Sequence, residues 1–232
     1  MPQSGYDEIA AEYYDDGHMT SRNFDVATRH AIAEWGMPYN GGKVLELGAG
    51  RGRATEYLGV ARENLVQLDS SQAMFELQER EPCSLKVVAD ACKIPLASGQ
   101  FNYVLGFLAD PFFGLDCLAE SHRMLEPGGS IFFTLPAYDW AITLRGVLLI
   151  DSMTTRFRKL ETGEEVVLPS LVHTTNKIQE MLEFTKFRNI QIHNHTLPAE
   201  HQPVSKDILT PAQASNVSEY ELPVITSVRA DK

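Results

Sequence analysis

The chain has 232 residues, 44% hydrophobic and 22% charged, an ordinary globular composition with enough length for one substantial core. Acids outnumber bases 31 to 20, and the formal charge of -11 opposes a phosphate backbone, so nucleic acid is disfavoured as a partner. There is no apolar run near the roughly 18 residues of a membrane span, no apolar core of a secretion signal in "MPQSGYDEIAAEYYDD", and no C-x-x-C spacing among Cys83, Cys92 and Cys117; a cytoplasmic protein without a disulfide framework, metal site or membrane anchor is expected.

Tyr6, Ile9, Ala10 and Tyr13 recur at helical spacing, and Ser4 with Asp7 is a start signal, so a helix is expected over 5–15. "KVLEL" (43–47) reads as a fully buried strand, "RATEYLGVA" (53–61) as a short helix, "NLVQLD" (64–69) as a second strand and "SQAMFELQER" (71–80) as a second helix. "LKVVAD" (85–90) and "FNYVLGFL" (101–108) are further strands. A helix over 115–125 and the strand "SIFFTLP" (130–136) follow. Strands alternating with helices imply βαβ units and a parallel sheet, and apolar runs without clean alternation fit strands covered on both faces. After residue 136 the rhythm breaks. A helix is expected over 138–151 and a hairpin over 156–168 around Thr162–Gly163; a helix near 175–185 and a strand near 187–195 then resume the pattern. Residues 196–218, with three prolines and few apolar residues, read as a long loop, and 220–230 as a closing strand.

The segment "VLELGAGRGRAT" (44–55) places Gly48, Gly50 and Gly52 at alternate positions between a buried strand and a helix. Such a turn lets a ligand approach the backbone at the carboxyl end of the first strand. A dinucleotide favours G-x-G-x-x-G, and here Arg53 stands at the third glycine, so the turn alone leaves the cofactor open. Asp69 ends the second strand, where a carboxylate can accept both hydroxyls of a ribose; Asp90 ends the third, where an acid can accept from an adenine amino group. "EPGG" (126–129) follows the fourth helix.

In this order, "LELGAGRG", "LDSSQAM", "ADACKIPLASGQFNYV" and "RMLEPGGSIFFTLP" resemble the class I S-adenosylmethionine-dependent methyltransferases, and "YDEIAAEYY" looks like the amino-terminal helix of many members. The resemblance covers residues 6–136, and 175–230 more faintly. It implies an α/β fold: a Rossmann-like seven-stranded mixed sheet with helices on both faces and the last strand inserted antiparallel. The whole chain, 1–232, would be one domain, with a lid helix in 1–30 and an inserted helix and hairpin on the substrate side at 137–173. Carried over by position, the resemblance puts Glu46 near the methionine amino group and Gly48, Ala49, Gly50 and Gly52 along the methionine and ribose. Asp69, with Ser70, would bind the ribose, and Met74 would pack on the adenine. Asp90 and the Ala91–Cys92 backbone would hold the adenine edge. Leu108 would floor the methionine part, and Tyr6 and Tyr13 would close over the top. Asn102 departs from the acid that many relatives carry after a phenylalanine, a difference that bears on strand packing.

The reaction implied is in-line displacement on an electrophilic methyl group, in which positioning and desolvation supply much of the rate. His18, Asp110 and His173 are the candidates for a base, should the nucleophile need one. "LADPFF" (108–113) loosely resembles the D-P-P-Y motif of amino-group methyltransferases, with Phe112 in place of the second proline; otherwise Asp110 caps the following helix. His193 and His195 share one face of a strand, with His201 beyond them, but no companion Cys or carboxylate is evident, and a solvated sheet face is expected rather than a metal site. Substrate choice should lie in residues 13–30, 137–173 and 196–218. A small-molecule acceptor is expected. The alternatives are an N-methyltransferase of a nucleobase or protein side chain, and an S-adenosylmethionine-binding regulatory protein without turnover. The sequence leaves the oligomeric state open.

Overall fold

A computed structural model describes residues 5–13, 15–35, 39–78 and 85–232. Its frame is a seven-stranded sheet built from β1 (Val44–Leu47), β2 (Leu65–Asp69), β3 (Leu85–Val88), β4 (Phe101–Gly106), β5 (Leu125–Pro136), β8 (Arg188–His195) and β9 (Ile225–Asp231). The order is β3-β2-β1-β4-β5-β9-β8. The first five strands run parallel, and β9 lies antiparallel between β5 and β8, with Phe133 opposite Val228. All four residues of β1 are buried, as the unbroken apolar run requires of a strand covered on both faces.

Alternate residues of the central strands feed two layers. Leu45 and Leu47 pack with Phe113, Leu118, Met181 and Leu182, under α4 (Leu115–Met124) and α6 (Thr175–Phe184). Val44, Leu65, Leu105 and Phe132 pack on the other side with Ile32, Trp35 and Leu58, from α1 (Met19–Trp35) and α2 (Arg53–Leu58). Past the end of the sheet a second cluster joins Phe24, Trp140, Leu144, Ile208 and Val224, uniting α1 with α5 (Tyr138–Leu148) and α7 (Lys206–Ala214). The fold class is the one expected, and the last strand is inserted antiparallel as expected. The insert is α5 followed by the hairpin β6 (Thr154–Arg158) and β7 (Glu165–Pro169), which turns through Gly163 at φ 71°.

Several elements differ from expectation. The helix expected over 5–15 is a 3-10 turn at Gly5–Glu8 followed by further turns, because it docks as a folded-back segment: Ile9 is buried with Phe157, Val166 and Leu168 of the hairpin. The 17-residue helix α1 has no counterpart in the sequence reading. The segment 53–61 stops being helical at Leu58, where Gly59 takes a left-handed φ of 63°. The helix α3 (Gln72–Glu76) is short, and residues 79 and 80 lie outside the described residues. The presumed loop 196–218 contains α7, with Pro211 inside it. That proline has no N–H for the Asp207 carbonyl four residues back, and Trp140 Nε1 donates to that carbonyl instead at 2.7 Å.

Candidate functional site

A cleft of about 1300 Å³ opens at the carboxyl ends of β1, β2 and β4. Its floor is the turn leaving β1. Gly48, Gly50 and Gly52 all take positive φ (61°, 51° and 91°), a region L side chains enter at a cost. At Gly48 a Cβ would also lie 2.5 Å from Phe112 Cε1, so the turn needs a bare backbone there for two independent reasons. Ala49 is buried under the turn, its N–H donating to the Leu68 carbonyl, while the Gly52 N–H closes the turn on the Ala49 carbonyl at 2.7 Å.

The acids at the strand ends brace this turn. Asp69 accepts from Gly50 N through Oδ2 at 2.7 Å and from Ser71 N through Oδ1 at 2.8 Å. Burial raises its pKa, against the lowering by the Ser71, Gly50 and Ser70 N–H groups. With the Ser70 N–H, three backbone groups act on this carboxylate, fewer than the roughly four acceptor positions it has, so bracing the turn and binding a ribose are compatible. Glu46 is fully buried: Oε1 accepts from Ala54 N at the start of α2 (2.8 Å) and Oε2 from Gln67 Nε2 (2.7 Å). Burial pushes its carboxyl up to about 7.

Of the residues named from the sequence, Tyr6, Tyr13, Gly48, Gly50, Gly52, Asp69, Ser70, Met74, Asp90, Ala91 and Leu108 line the one cleft. Tyr6 meets Tyr13 edge-on at 5.8 Å, and Tyr13 stacks on Phe157 of the hairpin at 5.9 Å, so the amino-terminal segment and the hairpin pack together beside the cleft. Asp90 caps its own turn through Cys92 N at 2.8 Å. Leu108 takes a left-handed φ of 53° and donates its N–H to Thr134 Oγ1. Glu46, Ala49 and Cys92 stand behind the lining; the Cys92 thiol, pushed up to about 11 by burial, lies 3.8 Å from the Phe112 carbonyl.

The three residues named as candidate bases are not among the lining residues. His18 packs on Phe157 at 4.3 Å, with Glu12 at 3.9 Å. His173 faces the Phe113 carbonyl at 3.3 Å, and burial lowers its pKa. Asp110 is buried: it accepts from the Ser170 hydroxyl, and Arg145 donates to the same hydroxyl at 2.7 Å. Burial pushes Asp110 up to about 7. Only its neighbours Pro111 and Phe112 reach the cleft. His195 bonds Ser227 Oγ at 2.6 Å, and His193 packs on Trp35 at 4.6 Å.

The sequence reading missed what ties the amino-terminal segment down. Asp7 accepts from the Ser71 hydroxyl at 2.6 Å, and Arg51, inside the glycine turn, donates to the Ala10 and Ala11 carbonyls at 3.1 and 3.3 Å. It also missed the polar wall where α1 meets α2. Arg29 is held by Asp25 at 2.8 Å and by Glu56; Arg53 is held by Glu56 at 2.6 Å; Tyr57 donates to Asp25 at 2.5 Å. The sequence signals for this wall are that Asp25 and Arg29, and Arg53 and Glu56, each sit one helical turn apart.

The family description "Methyltransferase domain" matches residues 45–133, the stretch from β1 through β5. The malonyl-[acyl-carrier protein] O-methyltransferase of Enterobacter lignolyticus is 36% identical over 106 residues, which is 44% of this chain and 42% of that protein. The demethylmenaquinone methyltransferase of Clavibacter sepedonicus is 31% identical over 139 residues, 54% of each chain. The chain thus spans about half the length of these curated relatives. A SAM-dependent methyltransferase from Thermotoga maritima superimposes with a TM-score of 0.65 at 16% identity, covering 98% of both chains; at that identity the likeness is one of fold.

Proposed function

We propose that the chain, whose residues 45–133 match the methyltransferase-domain family and whose fold is shared with a SAM-dependent methyltransferase, transfers the methyl group of S-adenosylmethionine to a small-molecule acceptor held in the same cleft. The observation that carries this reading is the convergence of Gly48, Gly50, Gly52, Asp69, Met74 and Asp90 on one cleft of about 1300 Å³. That volume exceeds the roughly 300–1,000 Å³ of common ligand pockets, leaving room for an acceptor beside the cofactor. The fit is chemical as well as spatial: a bare turn for the methionine and ribose, a buried carboxylate with open acceptor positions for the ribose hydroxyls, and Met74 for the adenine face.

When bound, the sulfonium supplies an electrophilic methyl group. In this reading the chain's own residues position and dehydrate. Tyr6 and Tyr13, pinned by Asp7 and Arg51, close the lid, and the hairpin behind Tyr13 excludes water. The acceptor lies beyond Leu108, among Val26, Phe107, Pro111, Pro169 and His201. A charge of -11 and the names of the curated relatives support a small molecule over nucleic acid. No described helix is long and apolar enough to cross a membrane. The unpaired Cys92 and Cys117 support a cytoplasmic setting.

Calorimetry with S-adenosylhomocysteine, S-adenosylmethionine and NAD tests the cofactor; NAD binding alone would reverse the assignment. Labelled-methyl transfer into separated metabolite, peptide and RNA pools tests the acceptor. Binding of the cofactor with no label in any pool would make the protein a sensor or scaffold.

A further inference from the structure

His201 lines the cleft beside the acceptor region, although it lies 178 positions along the chain from its partner Asn23 on α1. Asn23 is 1% exposed, and its amide orientation is fixed by two other bonds. Its Oδ1 accepts from Ser205 N at 2.8 Å, and its Nδ2 donates to the Pro203 carbonyl at 3.0 Å. The same Nδ2 stands 2.8 Å from His201 Nε2. An amide nitrogen only donates, so Nε2 must be the acceptor and the imidazole proton resides on Nδ1. The ring edge left for the cleft therefore offers an N–H, and its one lone pair is already engaged by Asn23.

Arg22 precedes Asn23 on α1 and lines the same cleft. Its side chain donates to the Asp16 carbonyl at 3.4 Å, and no carboxylate pairs with it among the described residues. Arg29 and Arg53, by contrast, are each held by acids. The acids nearby are largely occupied as well: Asp25 by Arg29 and Tyr57, and Asp15 by Gly17 N at 2.7 Å; Asp16 sits exposed at the mouth. What remains for a ligand on this side is a cation and a neutral N–H donor.

We propose that Arg22 and His201 hold an oxyanion of the methyl acceptor, which is therefore a carboxylate or an ionised hydroxyl compound rather than an amine, with Asn23 as the positioning residue that fixes the donor tautomer of His201. This rests on the methyltransferase reading above.

Long-range proton–nitrogen NMR of the imidazoles, assigned by comparison with His201→Gln, tests the tautomer with no ligand present. His201 should carry its proton on Nδ1, and Asn23→Leu should shift the population toward Nε2. A proton on Nε2 in the parent overturns the proposal. The protein loaded with S-adenosylhomocysteine is then titrated with benzoate, 4-nitrophenolate and benzylamine. The anions should shift the His201 signals, and whichever binds more tightly separates the carboxylate from the ionised hydroxyl. Arg22→Ala and His201→Ala should each weaken the anion about tenfold, the scale of one charge-assisted bond. His201→Asn, whose amide N–H sits where Nδ1–H was, should restore most of the binding, whereas His201→Gln should not. Preference for benzylamine, anion binding indifferent to both alanine variants, or no response at His201 to any probe overturns the proposal. S-adenosylhomocysteine affinity should be unchanged in all these variants. A parent that fails to bind it defeats the methyltransferase reading instead, while the tautomer measurement still stands on its own.

Discussion

Trp140 donates from Nε1 to the Asp207 carbonyl at 2.7 Å, the carbonyl that Pro211 leaves without an intrahelical partner. A tryptophan on the insert thus completes the hydrogen bonding of a helix 67 positions away. Trp140→Phe keeps a ring against Phe24 but strands the carbonyl, a loss of about 1–3 kcal/mol. Pro211→Ala restores an N–H at the right place, so Trp140→Phe should cost much less in that background. Denaturant melts of the four proteins in the cycle measure the coupling; additive costs would show that the carbonyl finds another partner.

Gly48 and Phe112 are similarly interdependent. Gly48→Ala combines a left-handed φ with a Cβ 2.5 Å from the Phe112 ring. The backbone cost is about 1–2 kcal/mol. The steric cost comes on top and should disappear in Phe112→Ala, leaving only the backbone part. Melting curves give both; calorimetry should show S-adenosylhomocysteine affinity falling in Gly48→Ala, because the floor of the cleft is displaced.

Glu46 gives a pH dependence whose sign is fixed by burial. Its folded carboxyl titrates near 7 against 4.5 for the ordinary group. Between those values the unfolded chain has released its proton and the folded chain has not. Stability is therefore highest at low pH and falls as pH rises toward about 7, by roughly 1.4 kcal/mol per pH unit at most for this group. Glu46→Gln should remove that part of the slope. Asp110, raised to about 7 for the same reason, keeps its own share, so the slope should be reduced and not abolished. Urea midpoints from pH 4.5 to 8 decide it; an unchanged slope would mean that Glu46 is ionised throughout.

The sheet was legible because each parallel strand is a short apolar run followed by its own turn chemistry. That Gly48, Asp69 and Asp90 share one cleft was legible for the same reason: each lies at or just after the end of a neighbouring strand. The helix α1 was not, because two of its five buried positions, Asn23 and Thr28, are polar and break the apolar period. The helix α7 was hidden by Pro211, whose cost is met by Trp140 from a distant segment. Turns of three or four residues satisfy the spacing of Tyr6, Ile9 and Tyr13 as well as a helix does. His201 and Arg22 have no local signature at all: their meeting depends on Asn23 reaching across to the loop before α7.

Asp110 separates a bracing role from a chemical one. Its Oδ2 accepts from the Ser170 hydroxyl, its backbone carbonyl accepts from Leu171 N at 2.8 Å, and Arg145 adds bonds to the Ser170 hydroxyl and carbonyl at 2.7 and 3.0 Å. The loop after β4 is thereby fastened to the segment leaving the hairpin, and Pro111 and Phe112 are presented to the cleft. Asp110→Ala leaves the buried Ser170 hydroxyl without its acceptor, a loss of about 1–3 kcal/mol. Asp110→Asn keeps an acceptor for Ser170 and should cost less. Neither variant should change S-adenosylhomocysteine affinity by much at a temperature where it is folded. If Asp110 instead held an acceptor amine, both variants would lower methyl transfer about 100-fold, the scale of lost positioning, and asparagine would be no milder than alanine. The measurement is a melting curve paired with single-turnover transfer on each variant. A lowered melting temperature with a near-parental rate in Asp110→Asn assigns the residue to the brace; a slow Asp110→Asn with parental stability would return it to the chemistry.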